Sequence, residues 1–475
     1  MMPWTASDVT QALSLIASDS NFSATGISID SRTLKKGEIY VAIKGESLDG
    51  HDYVKDAFAK GASAAIVSNP LDLNQNGSTY FLVDDTLKAL ADLGRYARSR
   101  SLAQVVAITG SAGKTTIKEW LRQVLSHFGE TVSSPASFNN QWGTPLSLTS
   151  LNKTTQYGVF ELGTNSPGEI APLAQMVNPD IAIITTITEA HIGRLGSLEA
   201  ITAEKSEIFS GLKKDGIAII NADIPQFDFL KKVALSKGAS KVYGVGKSAH
   251  ADVKLISYHP NQMDGNGSFS TINAKIDDKP LSYTLPFIGE HYAINSLFIL
   301  ACVDALGLLE QLALTQDSIL SSLQPLKGRG QRHTLNLANG GNFTLIDDAY
   351  NANPTSMKAG LSVLGSIKIK GRKIAVLGEM LELGEKSADY HKGLIPAIIA
   401  ANVDVVFATG SEMEHLFNAL PENLQGKYEL VADALIPHVF SYIQDGDTVF
   451  VKGSKGSKVS KVVDYLLSQP LMVAA

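Results

Sequence analysis

The chain has 475 residues, and a typical domain size of roughly 150 residues predicts about three domains. Its 44% hydrophobic and 19% charged residues are typical of a folded globular protein, and its net charge of -6 argues against nucleic acid or an anionic membrane as a broad partner. The single cysteine, Cys302, excludes an internal disulfide and a thiolate metal cluster, and its apolar neighbours indicate ordinary core packing.

The N-terminal segment lacks a basic region followed by an apolar core, and no apolar run approaches the roughly 20 residues that span a bilayer. We therefore expect a cytoplasmic protein without stable membrane insertion. We also expect a monomer that binds no nucleic acid.

The first 100 residues mix short strands with helices. Strand-like runs at residues 39–43 and 64–67 enclose a helical pattern at 54–60, and a longer helical stretch covers 86–100. This order predicts a small α/β domain over residues 1–100.

A strand that runs into a glycine-rich loop and then a helix follows at residues 104–125. Four apolar residues precede the loop Thr109-Gly110-Ser-Ala-Gly113-Lys114-Thr115-Thr116, whose glycines let the main chain wrap an anion while Lys114 and Thr115 meet phosphate and Mg²⁺. The usual phosphate-loop pattern has a glycine where this chain has Ile108, so the loop is a shortened version. The motif predicts ATP or GTP binding.

Strand-like runs at 157–160, 181–187 and 217–220 then alternate with helical patterns, which predicts a parallel sheet wrapped by helices. Residues 253–285 alternate as antiparallel strands do, and a helix is predicted at 293–308. We therefore place a central domain at residues 101–325.

A glycine- and arginine-rich link at residues 326–332 opens the last predicted domain, residues 326–475. Its predicted strands, at 343–346, 373–377, 405–408 and 448–451, again alternate with helices. Three α/β domains joined by short links suit an enzyme that closes on several ligands.

Three polar residues of the central domain are candidates for chemistry. Glu161 ends an apolar run and is a metal candidate, although an acidic helix cap or a surface turn would have the same pattern. His191 follows the run at 181–187, where strand ends gather ligands, but a loop histidine is often only polar surface. Lys205 lies on a helix that Ser197 is predicted to cap, and its pattern alone indicates a solvated charge.

Further candidates lie around the second domain link. His291 and Asn295 are four residues apart on a helix, so they present either a ring and an amide to a nucleobase or a polar face to another domain. Arg329 suits a phosphate or a carboxylate, and Asp348 belongs to a predicted acidic turn at 347–354. Residues 452–458 are either a mobile anion-binding loop or a solvated basic turn.

Together these motifs resemble the ATP-dependent Mur ligases of bacterial peptidoglycan synthesis, over all three domains. The resemblance is carried by the shortened phosphate loop, by the Asn-Asn segment at 137–145, and by Glu161, His191 and Lys205. It implies a small N-terminal α/β domain that binds a UDP substrate and a central P-loop domain with a mostly parallel sheet. It also implies a C-terminal Rossmann-like domain that closes on ATP and binds the incoming dipeptide.

The resemblance implies roles for single residues. Lys114, His191 and Lys205 are catalytic, and the metal ligands for Mg²⁺ are Thr115, Glu161, His191 and Lys205, the last as a carbamate. The ATP site comprises Gly110, Ser111, Ala112, Gly113, Lys114, Thr115, Thr116, His291, Asn295, Arg329 and Asp348. The UDP-substrate site comprises Ser31, Arg32, Lys44, Gly45, Asp49, Gly50, His51, Asn139 and Asn140.

Within the family, the segments at 30–51, 347–354 and 378–384 resemble a member that adds D-alanyl-D-alanine to UDP-N-acetylmuramoyl-tripeptide, and the Asp-Asn-Pro-Arg motif of the tripeptide-forming sibling is absent. The implied reaction passes through an acyl phosphate. The alternatives are another Mur ligase, a ligase like folylpolyglutamate synthetase, and a nucleotide-dependent switch that ligates nothing.

Overall fold

The computed structural model describes residues 4–16, 22–45, 47–70, 79–262, 268–313, 316–338 and 340–469. The last six residues of the predicted third domain, 470–475, lie outside these ranges, as do short stretches of the other two. Among the described residues, none of the helices combines the length and the apolar composition that a membrane span requires.

The first region contains a four-stranded parallel sheet of order β3-β4-β5-β6 beside a two-stranded antiparallel ribbon, β1-β2. Its elements are β1 (Trp4–Thr5), α1 (Ala6–Ala12), β2 (Ser23–Ala24), β3 (Gly26–Ser28), β4 (Glu38–Val41), a 3-10 helix (Gly50–Tyr53), α2 (Val54–Ala59), β5 (Ala64–Val67), β6 (Tyr80–Leu82) and α3 (Thr86–Arg100). Asp85 accepts hydrogen bonds from the backbone of Leu87 and Lys88, which fixes the start of α3 where it is predicted. The predicted α/β character is confirmed.

The central region is built on a nine-stranded sheet of order β15-β14-β13-β12-β11-β10-β7-β9-β8. Its strands are β7 (Gln104–Thr109), β8 (Thr131–Ser133), β9 (Tyr157–Glu161), β10 (Ile181–Ile184), β11 (Ile217–Asn221), β12 (Lys241–Gly246), β13 (Val253–Gln262), β14 (Ser268–Ile276) and β15 (Lys279–Leu285). The pairs β13-β14 and β14-β15 are antiparallel and the others are parallel, so the mostly parallel sheet is confirmed.

Helices cover both faces of this sheet. They are α4 (Lys114–Leu125), α5 (Gly143–Leu148), α6 (Ile170–Val177), α7 (Ile192–Leu195), α8 (Leu198–Ser206), a 3-10 helix (Glu207–Gly211), α9 (Phe227–Ser236), α10 (Glu290–Ala305), α11 (Leu309–Ala313) and α12 (Gln316–Ser321). In α4 the apolar residues Ile117, Trp120, Leu121 and Val124 recur at helical spacing and pack with α10 in one core, while α6 and α8 share the core on the other face. The sheet is thus buried on both sides, and β7, β9 and β10 all point their carboxyl ends to one edge.

The serine predicted to cap α8 does so, since Oγ of Ser197 accepts from the backbone N–H of Ala200 at 3.1 Å. Ser197→Ala removes that acceptor, so we expect the free energy of unfolding to fall by about 1 kcal/mol. Urea denaturation followed by tryptophan fluorescence measures it. Ser236→Ala, at an exposed position near the end of α9, is the control and should change the free energy by less than about 0.5 kcal/mol. Equal effects of the two substitutions would contradict the capping role.

The last region has a six-stranded sheet of order β16-β17-β21-β18-β19-β20, parallel except for the edge strand β16, and is Rossmann-like as predicted. Its elements are β16 (Gln331–Asn336), β17 (Asn342–Asp348), α13 (Pro354–Ser366), β18 (Lys373–Gly378), a 3-10 helix (Gly384–Lys386), α14 (Ser387–Lys392), α15 (Ile395–Ala400), β19 (Val405–Thr409), α16 (Met413–Phe417), a 3-10 helix (Glu422–Leu424), β20 (Gln425–Glu429), α17 (Ala432–Tyr442), β21 (Thr448–Lys452), a 3-10 helix (Lys455–Ser457) and α18 (Ser460–Ser468).

One boundary in this region differs from the prediction. Asp347 and Asp348 belong to β17 and pair with β21, so the turn begins only at Ala349. The capping of α13 by Asn353, with Pro354 as its first residue, is as predicted. The three sheets occupy residues 26–82, 104–285 and 331–452, and the exact domain boundaries near residues 101 and 326 stay predictions.

Candidate active site

The phosphate loop joins the end of β7 to the start of α4. Gly110 has a φ of 145°, and a Cβ atom there would lie 2.0 Å from Oγ1 of Thr185, so only glycine fits. Thr185 also donates to the carbonyl of Ala112 at 2.5 Å, and the N–H of Ser111 donates to the carbonyl of Thr186 at 2.8 Å. The segment after β10 therefore holds the loop open at the N-terminus of α4, where unpaired N–H groups attract an anion.

Lys114 is half-buried at the first position of α4. Its ammonium group donates to the carbonyl of Gly110, four residues earlier, at 2.6 Å. Burial lowers the pKa of Lys114, Glu161 opposes this shift, and Arg329 adds to it. The side chain thus lies folded over its own loop, where a phosphate can replace the carbonyl as its partner.

Glu161 is buried at the end of β9, with 2% of its surface exposed, so the alternative of a surface turn residue is wrong. Oγ1 of Thr115 donates to one carboxylate oxygen at 2.7 Å, and Nδ2 of Asn139 donates to the other at 2.8 Å. Arg329, from the third region, donates to the same threonine oxygen at 3.0 Å. Glu161 is the centre of a polar cluster built from four distant segments.

Lys205 is not the solvated charge that its sequence pattern indicates, because only 1% of its surface is exposed. Burial, together with the positive charge of Lys114, lowers the pKa of Lys205 to about 7. The preceding residue, Glu204, accepts three backbone N–H groups at the start of α6, from Gly168, Glu169 and Ile170, at 2.7 to 3.0 Å. This carboxylate fixes α8, and with it Lys205, against α6.

A cavity of about 750 Å³ lies between the central and last regions and brings most candidates together. It is lined by the whole loop from Ser111 to Thr116, by Asn139, Asn140, Glu161, His191 and Lys205, and by His291, Asn295, Arg329 and Asp348. Gly110 lies directly before this loop but does not line the cavity itself.

The remaining candidates cluster separately in the first region. Arg32 pairs with Asp30 at 2.7 Å and is exposed, while Ser31 is buried beside it. The His51 ring bonds to Asp49 at 2.6 Å and accepts from the N–H of Ser68 at 2.9 Å. Lys44 pairs with Asp49 in an isolated bridge, Gly45 follows Lys44, and Gly50 begins the 3-10 helix that follows Asp49. None of the seven first-region candidates lines the cavity: Ser31, Arg32, Lys44, Gly45, Asp49, Gly50 and His51.

His291 and Asn295 both face the cavity from α10. Burial, with a contribution from Lys452, lowers the pKa of His291 to about 4, so the imidazole is neutral near pH 7 and has one donor and one acceptor nitrogen. Lys452 itself is 3% exposed and pairs with Asp348 at 2.8 Å. Lys452 is therefore not part of a mobile loop or a solvated turn, because it is the buried end of β21, whereas anion binding by residues 452–458 stays a prediction.

Several contacts join the last region to the loop. The Tyr350 hydroxyl donates to Ser137 at 2.9 Å, and the Asn353 amide donates to the carbonyl of Ser111 at 3.2 Å. The guanidinium of Arg329 lies over the Tyr350 ring, 4.5 Å from its centre. These contacts close one side of the cavity.

Two residues that support the site without lining the cavity were given no role by the sequence reasoning. Lys118 is fully buried in α4, and its ammonium donates to the carbonyls of Ser134 at 2.6 Å and Ala136 at 2.5 Å, which shapes the segment that carries Asn139. Its position four residues after Lys114, on the same helix face, was the available signal. Glu382, from the segment after β18, bonds to the His191 ring. The segment 378–384 that contains it was part of the resemblance, but its pattern assigned no role to Glu382 itself.

The residues of this cavity suit the transfer of a phosphoryl group. The cationic side chains of Lys114 and Arg329 line the cavity beside a helix N-terminus, and together they balance the charge of a nucleoside triphosphate. The buried carboxylate of Glu161 and the neutral ring of His291 are available to bind the other parts of such a nucleotide.

Known protein families match the three regions. The Mur ligase family, catalytic domain, matches residues 23–98; the Mur ligase middle domain matches 108–303; and the Mur ligase, glutamate ligase domain, matches 328–455. Curated relatives named UDP-N-acetylmuramoyl-tripeptide--D-alanyl-D-alanine ligase are similar over nearly the whole chain. The protein of Rickettsia prowazekii is 35% identical, with 98% of this chain and 100% of the relative covered, and that of Escherichia coli is 34% identical, with 98% and 99% covered.

Solved structures give the same result. A crystal structure of MurF from Acinetobacter baumannii has a TM-score of 0.84 at 29% identity and covers 98% of this chain and 99% of its own. MurF from Thermotoga maritima, determined in complex with ADP, has a TM-score of 0.77 at 25% identity, with 93% and 96% covered. With its phosphate loop, its three α/β regions and these full-length similarities, the chain belongs to the Mur ligase family of ATP-dependent ligases and is MurF-like within it.

Proposed function

We propose that this Mur ligase joins D-alanyl-D-alanine to UDP-N-acetylmuramoyl-tripeptide in peptidoglycan synthesis, and that it forms UDP-N-acetylmuramoyl-pentapeptide, ADP and phosphate. The observation that carries the proposal is the convergence of Lys114, Lys205 and Arg329 on one cavity beside the phosphate loop. The names of the curated relatives, which match the chain from end to end, support this choice of substrates.

The chemistry follows from the bond that is made. A carboxylate does not accept an amine until one of its oxygens becomes a leaving group, so the tripeptide carboxylate attacks the γ-phosphorus of ATP, and ADP leaves. Lys114 and Arg329 stabilise the charge on the transferred group. The dipeptide amine then attacks the acyl carbon and loses a proton, and phosphate leaves from the tetrahedral intermediate. Holding three ligands together removes much of the entropic barrier.

The C-terminal region protects the intermediate. Water would hydrolyse an acyl phosphate, and the contacts of Tyr350 with Ser137 and of Asn353 with Ser111 cover the cavity beside the loop. We assign the binding of the incoming dipeptide to this region because its residues line the cavity that also contains Lys114.

The site suits Mg²⁺. No group of three or more His, Cys, Asp or Glu side chains that could hold a metal occurs among the described residues, and Mg²⁺ needs none, since it keeps several waters and takes phosphate oxygens as ligands. Oγ1 of Thr115 and a carboxylate oxygen of Glu161, which lie 2.7 Å apart, are the protein's oxygen ligands for the ion. His191 and Lys205 line the same cavity. When bound, the ion neutralises charge on the phosphate oxygens of ATP.

Lys205 joins this set as a carbamate. A pKa of about 7 leaves much of its amine neutral near pH 7, and a neutral amine adds to carbon dioxide with loss of one proton. The product is an anion with two oxygens, which turns a buried cation into a metal ligand. Burial also protects the carbamate from water.

The two nucleotides occupy different regions. We assign the uridine nucleotide to Ser31, Arg32, Lys44, Gly45, Asp49, Gly50 and His51, with Asn139 and Asn140 toward the cavity. His291 and Asn295 recognise adenine, because a neutral imidazole and an amide each offer a donor and an acceptor. Asp348 and Arg329 lie toward the rest of ATP.

Substrate-dependent phosphate release tests the proposal. We expect release, with an amide product visible by mass spectrometry, only when ATP, UDP-N-acetylmuramoyl-tripeptide and D-alanyl-D-alanine are all present. Running lysine-containing and diaminopimelate-containing tripeptides in parallel identifies the third peptide residue. Omitting each substrate in turn is the control.

Other outcomes would replace the proposal. Release with a folate and glutamate, or with a single amino acid in place of the dipeptide, would indicate a different ligase of the same fold. ATP turnover that neither substrate changes, without an amide product, would indicate a nucleotide-dependent switch.

A further inference from the structure

Glu382 links the C-terminal region to His191. One of its carboxylate oxygens bonds to Nδ1 of His191, and the other pairs with Nη2 of Arg194 at 2.8 Å. The carbonyl of Glu382 also accepts the N–H of Gly193 at 2.9 Å. A single residue from one region therefore contacts three of four consecutive residues in another.

The two backbones meet too closely for this contact to be a loose surface pairing. A Cβ atom on Gly193 would lie 2.7 Å from the nitrogen of Gly384 and 3.0 Å from the carbonyl oxygen of Glu382. His191 and Glu382 both have a φ of 64°, in the left-handed region that residues other than glycine seldom occupy. Strained backbone on both sides of a contact is typical of sites where side-chain placement matters.

The bond determines what the imidazole offers to the cavity. A carboxylate can only accept, so Nδ1 is the donor in this bond, and in the neutral ring Nε2 then keeps its lone pair for a metal ion in the cavity. His191 lines that cavity with Lys114, Glu161 and Lys205. Carboxylates that hold a histidine in this way orient its ring and raise its basicity toward a metal.

We propose that Glu382 is a positioning residue, which fixes the ring and tautomer of His191 so that divalent-metal binding at the ATP site depends on the docked C-terminal region. The inference rests on the metal-binding role assigned to His191 in the proposed function. The predicted effect concerns only the binding of the metal and ADP, so its test does not depend on which peptide and amine the enzyme joins. Because binding equilibria are reciprocal, the metal and nucleotide in turn favour the docked arrangement.

Mn²⁺ binding to the full-length protein with ADP, measured by electron paramagnetic resonance without peptide substrates, tests the proposal. We expect Glu382→Ala to weaken Mn²⁺ binding by roughly tenfold or more. Glu382→Gln, whose amide oxygen can still accept from Nδ1, should lower the Mn²⁺ affinity less than Glu382→Ala does. Glu385→Ala, an exposed glutamate of the same segment, is the matched control and should stay within about twofold of the unsubstituted protein.

A double-mutant cycle distinguishes a direct effect of the Glu382–His191 bond on metal binding from a general structural effect of the substitution. In a His191→Ala background, Glu382→Ala should cause no further loss of Mn²⁺ affinity, because its target is gone. Equal Mn²⁺ affinity of the Glu382→Ala and Glu385→Ala proteins would overturn the proposal. The proposal would also be overturned if Glu382→Ala caused the same loss of Mn²⁺ affinity in the His191→Ala background as in the unsubstituted protein. Thermal unfolding of each variant confirms that it is folded.

Discussion

Replacing Lys114 by alanine should reduce amide formation by at least about a thousandfold while the protein stays folded. The side chain lies over the phosphate loop and, within the described part of the chain, donates a hydrogen bond only to the carbonyl of Gly110, so its removal breaks one such contact of the free protein. In the reaction the same ammonium group balances negative charge on the transferred phosphoryl group, and no other side chain of the loop is cationic. The loss should therefore appear in the rate rather than in stability.

Phosphate release and mass spectrometry of the amide product measure this effect, and circular dichroism verifies the fold. Lys232→Ala, at an exposed position on α9, is the control and should keep full activity. Ligation that survives Lys114→Ala would refute the phosphate role assigned to this residue.

Substitution of Lys205 should have the second largest effect, a loss of at least about a hundredfold in ligation. Lys205→Met removes the amine from its buried position, and Lys205→Arg keeps a cation that does not form a carbamate at neutral pH. Both variants should fail in the same way if the carbamate is the active form. Full activity of Lys205→Arg would show that only a positive charge is needed.

The pH dependence of Lys205 provides an independent test. Burial lowers its pKa from 10.5 to about 7, so the neutral amine, and with it carbamate formation, increases as the pH rises through about 7. Adding ¹³C-bicarbonate should produce a carbamate resonance that grows from about pH 6 to about pH 8 and is missing in Lys205→Arg. Without the carbamate, Lys205 in the unfolded chain holds a proton that the folded protein has lost between the folded pKa of about 7 and the unfolded pKa of 10.5. The free energy of unfolding therefore also rises with pH in this range.

The sequence was sufficient wherever a structure depends on near neighbours along the chain. The helix from Thr86 to Arg100 and the strand from Ala64 to Val67 have the predicted bounds, because capping and apolar periodicity are local. The strand predicted at 181–187 ends early, at Ile184, because its last residues turn to support the phosphate loop. Family resemblance supplied the roles of Glu161, His191 and Lys205, where the residue patterns alone left other interpretations open.

The sequence by itself determined the phosphate loop from Thr109 to Thr116, since a strand, a glycine turn and a helix start are all local. Only the tertiary structure decided that Lys205 is buried and that Arg329 bonds to Thr115, 214 residues away. The same holds for Glu382, which bonds to His191 across 191 residues. The reason is physical: burial, charge and hydrogen bonding depend on which distant segments the central and last sheets bring to one cavity, and no pattern within a single segment records that.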